Sequence, residues 1–434
     1  MKKLLILAAI AAATMFAQGA GFGIYEASAR GNAMGGAVVG DTHDATAAYH
    51  NPANLAFATN VMVSTGVTFI NPYCDVEVNH RSQNRMNPGW FTVPTFYATI
   101  PLPFDFAFGW GNYTEYGLGT KYGSRWDLAA DTRKTTMEQV TLNPNLAYKI
   151  TDWWSVSAGI RGSYIRFLNH KKPFYGETFN VAIPVPPGSI PAEADLNSRL
   201  KGDDWDMGWN AAMTFKPTDD LSIGLVYRSM IRHKIKGNFD LNGTVATAPG
   251  GPLPGGIPLR QYHEHTYASA KLRLPESLTL GVNYNVTPRY RVGSAITYTR
   301  WSSLDKIDFK IGGGHGYTQK FDWQDTVRVG FGMEYDFLDW LSGRIGYTFD
   351  EDPTSKHHQS TMLPAGDRHI IGMGLGFKIT ENLTLDLGYN FIRMNNEHYF
   401  VTYAAGPNGE KNTKRMSCRN GFSHLVSATL SYSF

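Results

Sequence analysis

Beyond its first nineteen residues the chain has no run of about 18 apolar residues, so nothing in it can cross a bilayer as a helix. It also lacks a Pro- or Ser-rich linker, and no shift of composition splits its 434 residues into separate domains. Charged residues are only 18% of the sequence, against ~25% in ordinary soluble domains. The formal net charge of +3 is too small to point to nucleic acid. Cysteine is limited to Cys74 and Cys418, which excludes a disulfide-dense scaffold or a cysteine metal cluster. Glycine, by contrast, occurs 45 times and aromatics reach 13%. An exported, anchorless chain of this composition points to an all-β outer-membrane barrel.

Export is argued by residues 1–19. Lys2 and Lys3 precede an apolar stretch from Leu4 to Phe16, and Ala17 and Gly19 are small residues at a cleavage offset. This reads as a signal peptide cut near Gly19 or Ala20; the alternative, a membrane anchor, needs a longer apolar run. Residues 20–60 are rich in Gly and Ala and do not alternate, which suits a compact hatch, or plug. Residues 61–434 alternate, turn and alternate again, as a barrel enclosing that hatch would.

Alternation is clearest late in the chain. Leu383, Leu385, Leu387, Tyr389 and Phe391 oppose Thr384, Asp386, Gly388 and Asn390, and Ile371, Met373, Leu375 and Phe377 oppose three glycines. Short turns recur at 148–153, 215–221, 286–290, 337–340, 377–383 and 101–104, most of them beside aromatics. Between them lie longer connections near 71–90, 118–135, 169–203, 239–262, 309–321, 351–367 and 400–417. Six turns and seven loops join fourteen antiparallel strands with both ends on the periplasmic side. This count takes 263–286 as one strand with a bulge at Pro275. The last strand carries Val426, Ala428, Leu430, Tyr432 and Phe434 on one face, and a terminal aromatic resembles the signal read by the bacterial barrel-assembly machinery.

Ala20–Gly21–Phe22, the Gly/Ala-rich run and Asn51–Pro52–Ala53 resemble the FadL-type outer-membrane transporters of long-chain fatty acids and aromatic hydrocarbons. The resemblance spans the mature chain, through GWNAA at Gly208, VYRS at Val226, KGNF at Lys236, LRLPE at Leu272, TYTRWS at Thr297 and FDEDP at Phe349. It implies the same fourteen-stranded barrel and passive uptake of hydrophobic compounds, long-chain fatty acids above hydrocarbons. Capture among outer loops, passage to an internal apolar pocket and lateral exit at a kinked third strand are implied with it. That strand falls at about 104–118, with Tyr116 and Gly117 at the kink. The resemblance further implies that Asn51, Pro52 and Ala53 contact this strand and that residues near Phe22 move when ligand arrives.

A carboxylate in an apolar pocket needs a cation. Regions matching the family's offer Arg166, Lys171 and Lys172 after strand five and Lys306 and Lys310 after strand nine; the family's basic position in the second loop falls on Asp308, a departure. Solvated loop charges, or contacts to lipopolysaccharide phosphate, are the competing readings. Apolar loop stretches at Phe174, at 181–187 and at 249–258 suit a greasy entrance or loop-on-loop packing. His43 and His50 lie near Asp41 and Asp44, but hydrogen bonding in a hatch explains them better than a metal. His263, His265, His357 and His358 read as loop residues, and Gly312–Gly316 lacks the context of a phosphate loop. No nucleophile–base pair, cofactor motif or metal set stands out, so no enzyme is expected. Arg161, Arg228, Arg232, Arg328, Arg344 and Glu334 have lumen parity and read as ion pairs holding barrel to hatch.

The two cysteines permit a separate inference. In a closed barrel the first and last strands pair; with Phe434 opposite about Ala58, Cys74 and Cys418 come level, and the periplasm is oxidising. A seam disulfide is expected. The rival readings of the whole chain are a general diffusion porin, a lipase-like outer-membrane enzyme, and an adhesive barrel. Lipid or lipopolysaccharide is the surrounding partner, and a monomer is the default for a self-closed barrel.

Overall fold

The computed structural model describes residues 21–79, 82–86, 89–123, 126–172, 189–249, 259–312, 316–355, 358–364, 366–404 and 411–434. The leader with its cleavage site, the apolar loop stretches at 174–187 and 250–258, residues 313–315 of the glycine loop and His357 lie outside this set.

One antiparallel sheet of 21 segments closes on itself as a 14-strand barrel. The first strand is β1 (Met62–Val78), the second is β2 (Ser82–Met86) with β3 (Phe91–Pro101), and the third is β4 (Phe106–Tyr113) with β5 (Gly117–Lys121). Strands four to six are β6 (Lys134–Thr151), β7 (Trp154–Lys171) and β8 (Ser189–Phe215). Strands seven to ten are each broken: β9 (Leu221–Arg228) with β10 (Ile231–Pro249), β11 (Leu259–Leu274) with β12 (Ser277–Thr287), β13 (Tyr290–Thr299) with β14 (Lys306–Ile311), and β15 (Tyr317–Lys320) with β16 (Thr326–Leu338). The barrel finishes with β17 (Leu341–Asp350), β18 (Arg368–Lys378), β19 (Leu383–Met394) with β20 (Glu397–Ala404), and β21 (Lys411–Ser433). Closure is the pairing of β1 with β21, Met62 facing Ser433.

In the membrane-facing half the alternation predicts the faces well. Ile371, Met373 and Leu375 point outward and are exposed, as lipid contacts are in the isolated chain. Several expected loops are instead strand. Residues 71–78, 189–203, 239–249 and 411–417 continue the ladders above the membrane, where the outer face no longer has to be apolar and the contrast fades. Pro275 and Glu276 interrupt strand eight outright rather than bulging it. The closing register is also displaced: the Phe434 N–H donates to the Val61 carbonyl at 2.9 Å, three residues beyond the expected Ala58.

The hatch fills the lumen. Its helices α1 (Ala29–Ala33) and α2 (Ala47–His50) and a 3-10 helix (Pro52–Phe57) are almost wholly buried. Polar wall side chains hold its backbone: Thr429 accepts from the Ala29 N–H at 2.9 Å, Asn390 donates to the Asn32 carbonyl at 2.8 Å, and Asn283 donates to the Ala37 carbonyl at 2.8 Å. The inward glycines of the late strands have a steric reason. A Cβ on Gly330 would lie 2.1 Å from the Gly35 carbonyl oxygen, and one on Gly372 would lie 2.6 Å from that of Asn32. Charge adds to this grip. Glu334 accepts from Arg30 at 3.0 Å and from Arg291 at 2.7 Å, and also pairs with Arg344, which in turn reaches Asp386 at 2.5 Å. Each of these charges is paired, which is the condition on which a lumen can bury them.

Candidate functional site

The third strand is where the wall opens. β3 and β4 pair from Pro101 with Ala107 up to Phe96 with Asn112. Above that point β5 pairs with β6, and among the described residues no ladder joins it to strand two. Residues Thr114–Tyr116 lie between β4 and β5, with the Glu115 N–H donating to Gln139 Oε1 at 2.9 Å. The tip of the hatch takes the vacant place. Gly23 bridges Tyr116, the Ile24 N–H donates to the Glu115 carbonyl at 2.8 Å, and the Gly117 N–H donates to the Phe22 carbonyl at 2.9 Å. Gly117 does not adopt the positive φ that a glycine-dependent bend would need. Its requirement is room: a Cβ there would lie 2.5 Å from Ile24 Cδ1, so the Ile24 side chain would have to turn away.

The 3-10 helix that Asn51–Pro52–Ala53 opens touches the third strand, but below the kink and not at it. Asn51 Nδ2 donates to Thr214 Oγ1 at 2.8 Å and to the Val39 carbonyl at 3.0 Å. Its Oδ1 caps the Ala53 N–H at 3.1 Å, with Pro52 at the first helical position, where a missing N–H costs nothing. The Ala53 carbonyl accepts from Ser155 at 2.8 Å. This turn meets strands five and six, and the 3-10 helix reaches strand three only below the kink, through Leu55 against Gly109.

Above the tip lies an apolar cavity lined by fourteen side chains, every one apolar, among them Phe22, Leu118, Phe167, Leu272, Phe309 and Trp323. Its inward-facing lining comes from a reversal of parity. Below the break in strand seven the inward residues are Gly224, Val226 and Arg228; above it they are Ile231, His233 and Ile235. In strand eight Thr279 and Asn283 face inward below the break, and Leu274, Leu272 and Ala270 above it. A two-residue interruption exchanges the faces of a strand, so a lumen that is polar below becomes apolar above. Phe22 joins this cavity to the kink. Its ring packs edge-on against Trp301 at 4.9 Å, lies 5.6 Å from Trp323 and packs against Tyr116 at 5.8 Å. The Tyr116 hydroxyl donates to the Pro275 carbonyl at 2.9 Å, which ties the kink to the break in strand eight.

Of the five candidate cations only Lys171 has inward parity. Its ammonium lies 4.6 Å from the centre of the Tyr317 ring, and that ring stacks on Phe309 of the cavity wall at 4.7 Å. Lys172 pairs with Asp195 at 3.0 Å. Arg166 faces outward between the inward Ile165 and Phe167, and lies 3.8 Å from Glu138. Lys306 and Lys310 are likewise outward, alternating with the inward Ile307 and Phe309. A side chain on the outer face cannot reach the lumen, so the pocket role expected of Arg166, Lys306 and Lys310 does not stand. The same reversal displaces Arg232, which is exposed on the outer face rather than in the lumen. The other inward arginines are paired: Arg161 with Glu115 at 2.5 Å, Arg228 with Glu115 at 3.4 Å and Arg328 with Asp350 at 3.7 Å. The residues that sequence reasoning passed over are Trp301, Trp323 and Leu272. Trp301 and Leu272 sit in the TYTRWS and LRLPE stretches and Trp323 well beyond them, and Pro275 in strand eight was the one signal that faces would change.

Cys74 and Cys418 are joined across the seam with Cα atoms 6.4 Å apart. The bulge between Tyr73 and Asp75 recovers one residue of the displaced register, and Cys418 faces Val76, two residues from Cys74. The pair sits in a second apolar cluster with Val76, Met86, Tyr399 and Met416, to which Tyr122 and Trp126 add rings stacked at 3.9 Å. His50 Nε2 lies 2.8 Å from Ser28 Oγ; burial, then the cations Arg228 and Arg30, hold its pKa down at about 3, so the ring is neutral. His43 pairs with Asp41. Among the described residues no group of three metal-type ligands converges. His263 pairs with Asn242 and His265 with Asp240 across the exposed face of strands seven and eight, and His358 lies 3.7 Å from Asp322.

Fold and site together define a hatch-closed outer-membrane β-barrel with an apolar chamber in its outer half. The chain belongs to the outer membrane protein transport protein family (OMPP1/FadL/TodX), whose family pattern matches residues 10–434. It is therefore an outer-membrane transport protein of the channel type and not an enzyme. It is 25% identical to the long-chain fatty acid transport protein of Salmonella typhi, over 88% of this chain and 90% of that one. It is also 25% identical to outer membrane protein P1 of Haemophilus influenzae, over 96% of each. Among solved structures, a Pseudomonas aeruginosa FadL homologue shares the fold with a TM-score of 0.80 at 21% identity, covering 96% of this chain and all of that one. The Pseudomonas putida toluene transporter TodX shares it at 0.70 and 16% identity, covering 94% and 98%.

Proposed function

We propose that this barrel takes up hydrophobic compounds passively, with long-chain fatty acids as the preferred cargo. An apolar chain gains about 0.8 kcal/mol per CH₂ on leaving water, which an open aqueous pore cannot offer it. The all-apolar cavity supplies that environment, and Lys171, inward and beside the cavity's outer edge, is suited to a carboxylate head group. Cargo captured above the cavity moves down to Phe22, displaces the hatch tip, and leaves sideways between strands two and three. The observation that carries this reading is the double contact of Phe22, with Trp301 in the cavity on one side and Tyr116 at the kink on the other. A neutral aromatic hydrocarbon is the second reading, favoured by the absence of any polar side chain among the fourteen that line the cavity. The cysteine pair is read as a disulfide of the exported protein, the chain as a monomer, and Phe434 as its assembly signal.

Native mass spectrometry of gently extracted protein, with bound lipid identified on release, tests the cargo. A long-chain acyl compound held by wild type and by Lys306→Glu, but lost on Lys171→Glu, supports the fatty-acid carrier. Retention of a neutral hydrocarbon, indifferent to both changes, replaces the fatty acid with the second reading. An empty lumen that conducts ions contradicts carrier function altogether.

A further inference from the structure

The exposed outer wall of strands seven to ten carries cations in an arrangement that a self-contained surface avoids. Arg232 lies directly opposite Arg273, Lys234 opposite Lys271, and Lys306 opposite Lys320. Like charges facing each other across a ladder destabilise it. All six side chains are exposed on the outer face, and among the described residues none forms an ion pair. Lys236 and Lys310 flank Ser269 on one further rung. Among the described residues the carboxylates along this stretch of outer face are Asp203, Asp305, Asp308, Asp322 and Asp325, with Asp240 and Glu276 at its edges paired to His265 and Arg300.

The height of the patch is set by the same breaks that shape the cavity. The Ser229 N–H, at the break in strand seven, donates to the Trp209 carbonyl at 2.9 Å. Below that level the outer face presents Trp209 packed on Tyr227 at 5.0 Å, then Leu278 and Leu280. That is an aromatic girdle over a lipid-facing band. The cations begin on the next rungs above it. We infer that this patch binds the phosphate groups of a phosphorylated glycolipid of the outer leaflet, with its acyl chains against the band below. The parity reversal then serves two purposes, since turning the apolar side chains inward also turns the cations out to headgroup level. An anionic headgroup offsets the cross-strand repulsion, and charge-assisted bonds from paired arginines and lysines suit phosphate oxygens. This surface lies outside the lumen and does not depend on the identity of the cargo.

The test uses the full-length mature protein in detergent micelles, probed by native mass spectrometry with bisphosphorylated lipid A, monophosphorylated lipid A or phosphatidylethanolamine. Wild type should retain bisphosphorylated lipid A most, and Lys234→Gln with Lys271→Gln should lower retention roughly tenfold or more, in keeping with the loss of two charge-assisted bonds. Lys171→Gln, on the inner face, should leave lipid A retention unchanged. Heat-modifiable gel migration reports folding of each variant. In lipid-free micelles the double variant should melt no lower than wild type, because repulsion has been removed; only wild type should gain thermal stability on adding lipid A. Equal retention by wild type and the folded double variant would overturn the proposal. So would indifference to headgroup, or displacement of lipid A by millimolar inorganic phosphate, since the wall would then read a free ion.

Discussion

The body and the tip of the hatch are held in different ways. The body, Ala29–Gly40, lies against inward glycines, receives hydrogen bonds from wall side chains and is tied down by the charges around Glu334. The tip, Phe22–Ile24, is held by the two backbone hydrogen bonds that make the Gly23–Tyr116 bridge and by the apolar contacts of two side chains. The wall amides of Asn283 and Asn390 give their bonds to the body's backbone, while Glu334 adds a charge on Arg30 to the two it holds within the wall. The tip instead occupies an opening between two strands, where Phe22 also lines the apolar cavity. On the proposed function, the contrast divides one segment into an anchor and a releasable gate.

The comparison can be broken most forcefully at its anchor. Glu334→Ala leaves Arg30, Arg291 and Arg344 beside a vacated buried carboxylate and should cost about 3–5 kcal/mol. A lowered thermal midpoint together with ion conductance in planar bilayers is the expected readout. Opening the seam by Cys74→Ser should cost about 2–4 kcal/mol, seen as a lower midpoint that reductant lowers no further. Phe22→Ala should abolish ligand retention while hydrogen exchange in 29–40 stays at the wild-type level, since none of the body's bonds involves that ring. Gly117→Ala should loosen only the tip, by about 1 kcal/mol, as Ile24 is forced to turn.

A separate effect lies in the outer loop, away from both parts. Burial raises the Asp352 carboxyl to about 7, with Asp367 and Glu397 adding to the shift against the bonds from Thr354. The folded state therefore holds a proton that the unfolded state releases near its ordinary pKa, and stability falls as pH rises from about 4 to about 7. Asp352→Asn should remove that slope, and exchange in residues 351–355 measured at pH 5 and pH 8 should show it.

The membrane half of the barrel was legible because a bilayer enforces contrast between faces: Leu387 against Asp386, or Met373 against Gly372, needs no further information. The outer half was less so. Residues 239–249 and 411–417 read as loop because above the membrane neither face of a ladder has to be greasy. Parity was the larger loss. Arg232 was read as lumen-facing and Arg166 as a pocket cation, yet Arg166 sits on the outer face of an unbroken strand and Arg232 follows a two-residue break. The kink at Gly117 was located by resemblance, but the reason for a glycine there, the space taken by Ile24, lies ninety-three residues earlier in the chain, beyond the reach of any local pattern.

The most direct test of the anchor and gate is hydrogen exchange with and without saturating oleate, followed by mass spectrometry in the same micelles. Faster exchange confined to residues 22–24 and 114–118 on ligand binding, with 29–40 unchanged, is the predicted result. Loosening of 29–40 to the same degree as the tip, or bound oleate with no change at the tip, would contradict the division.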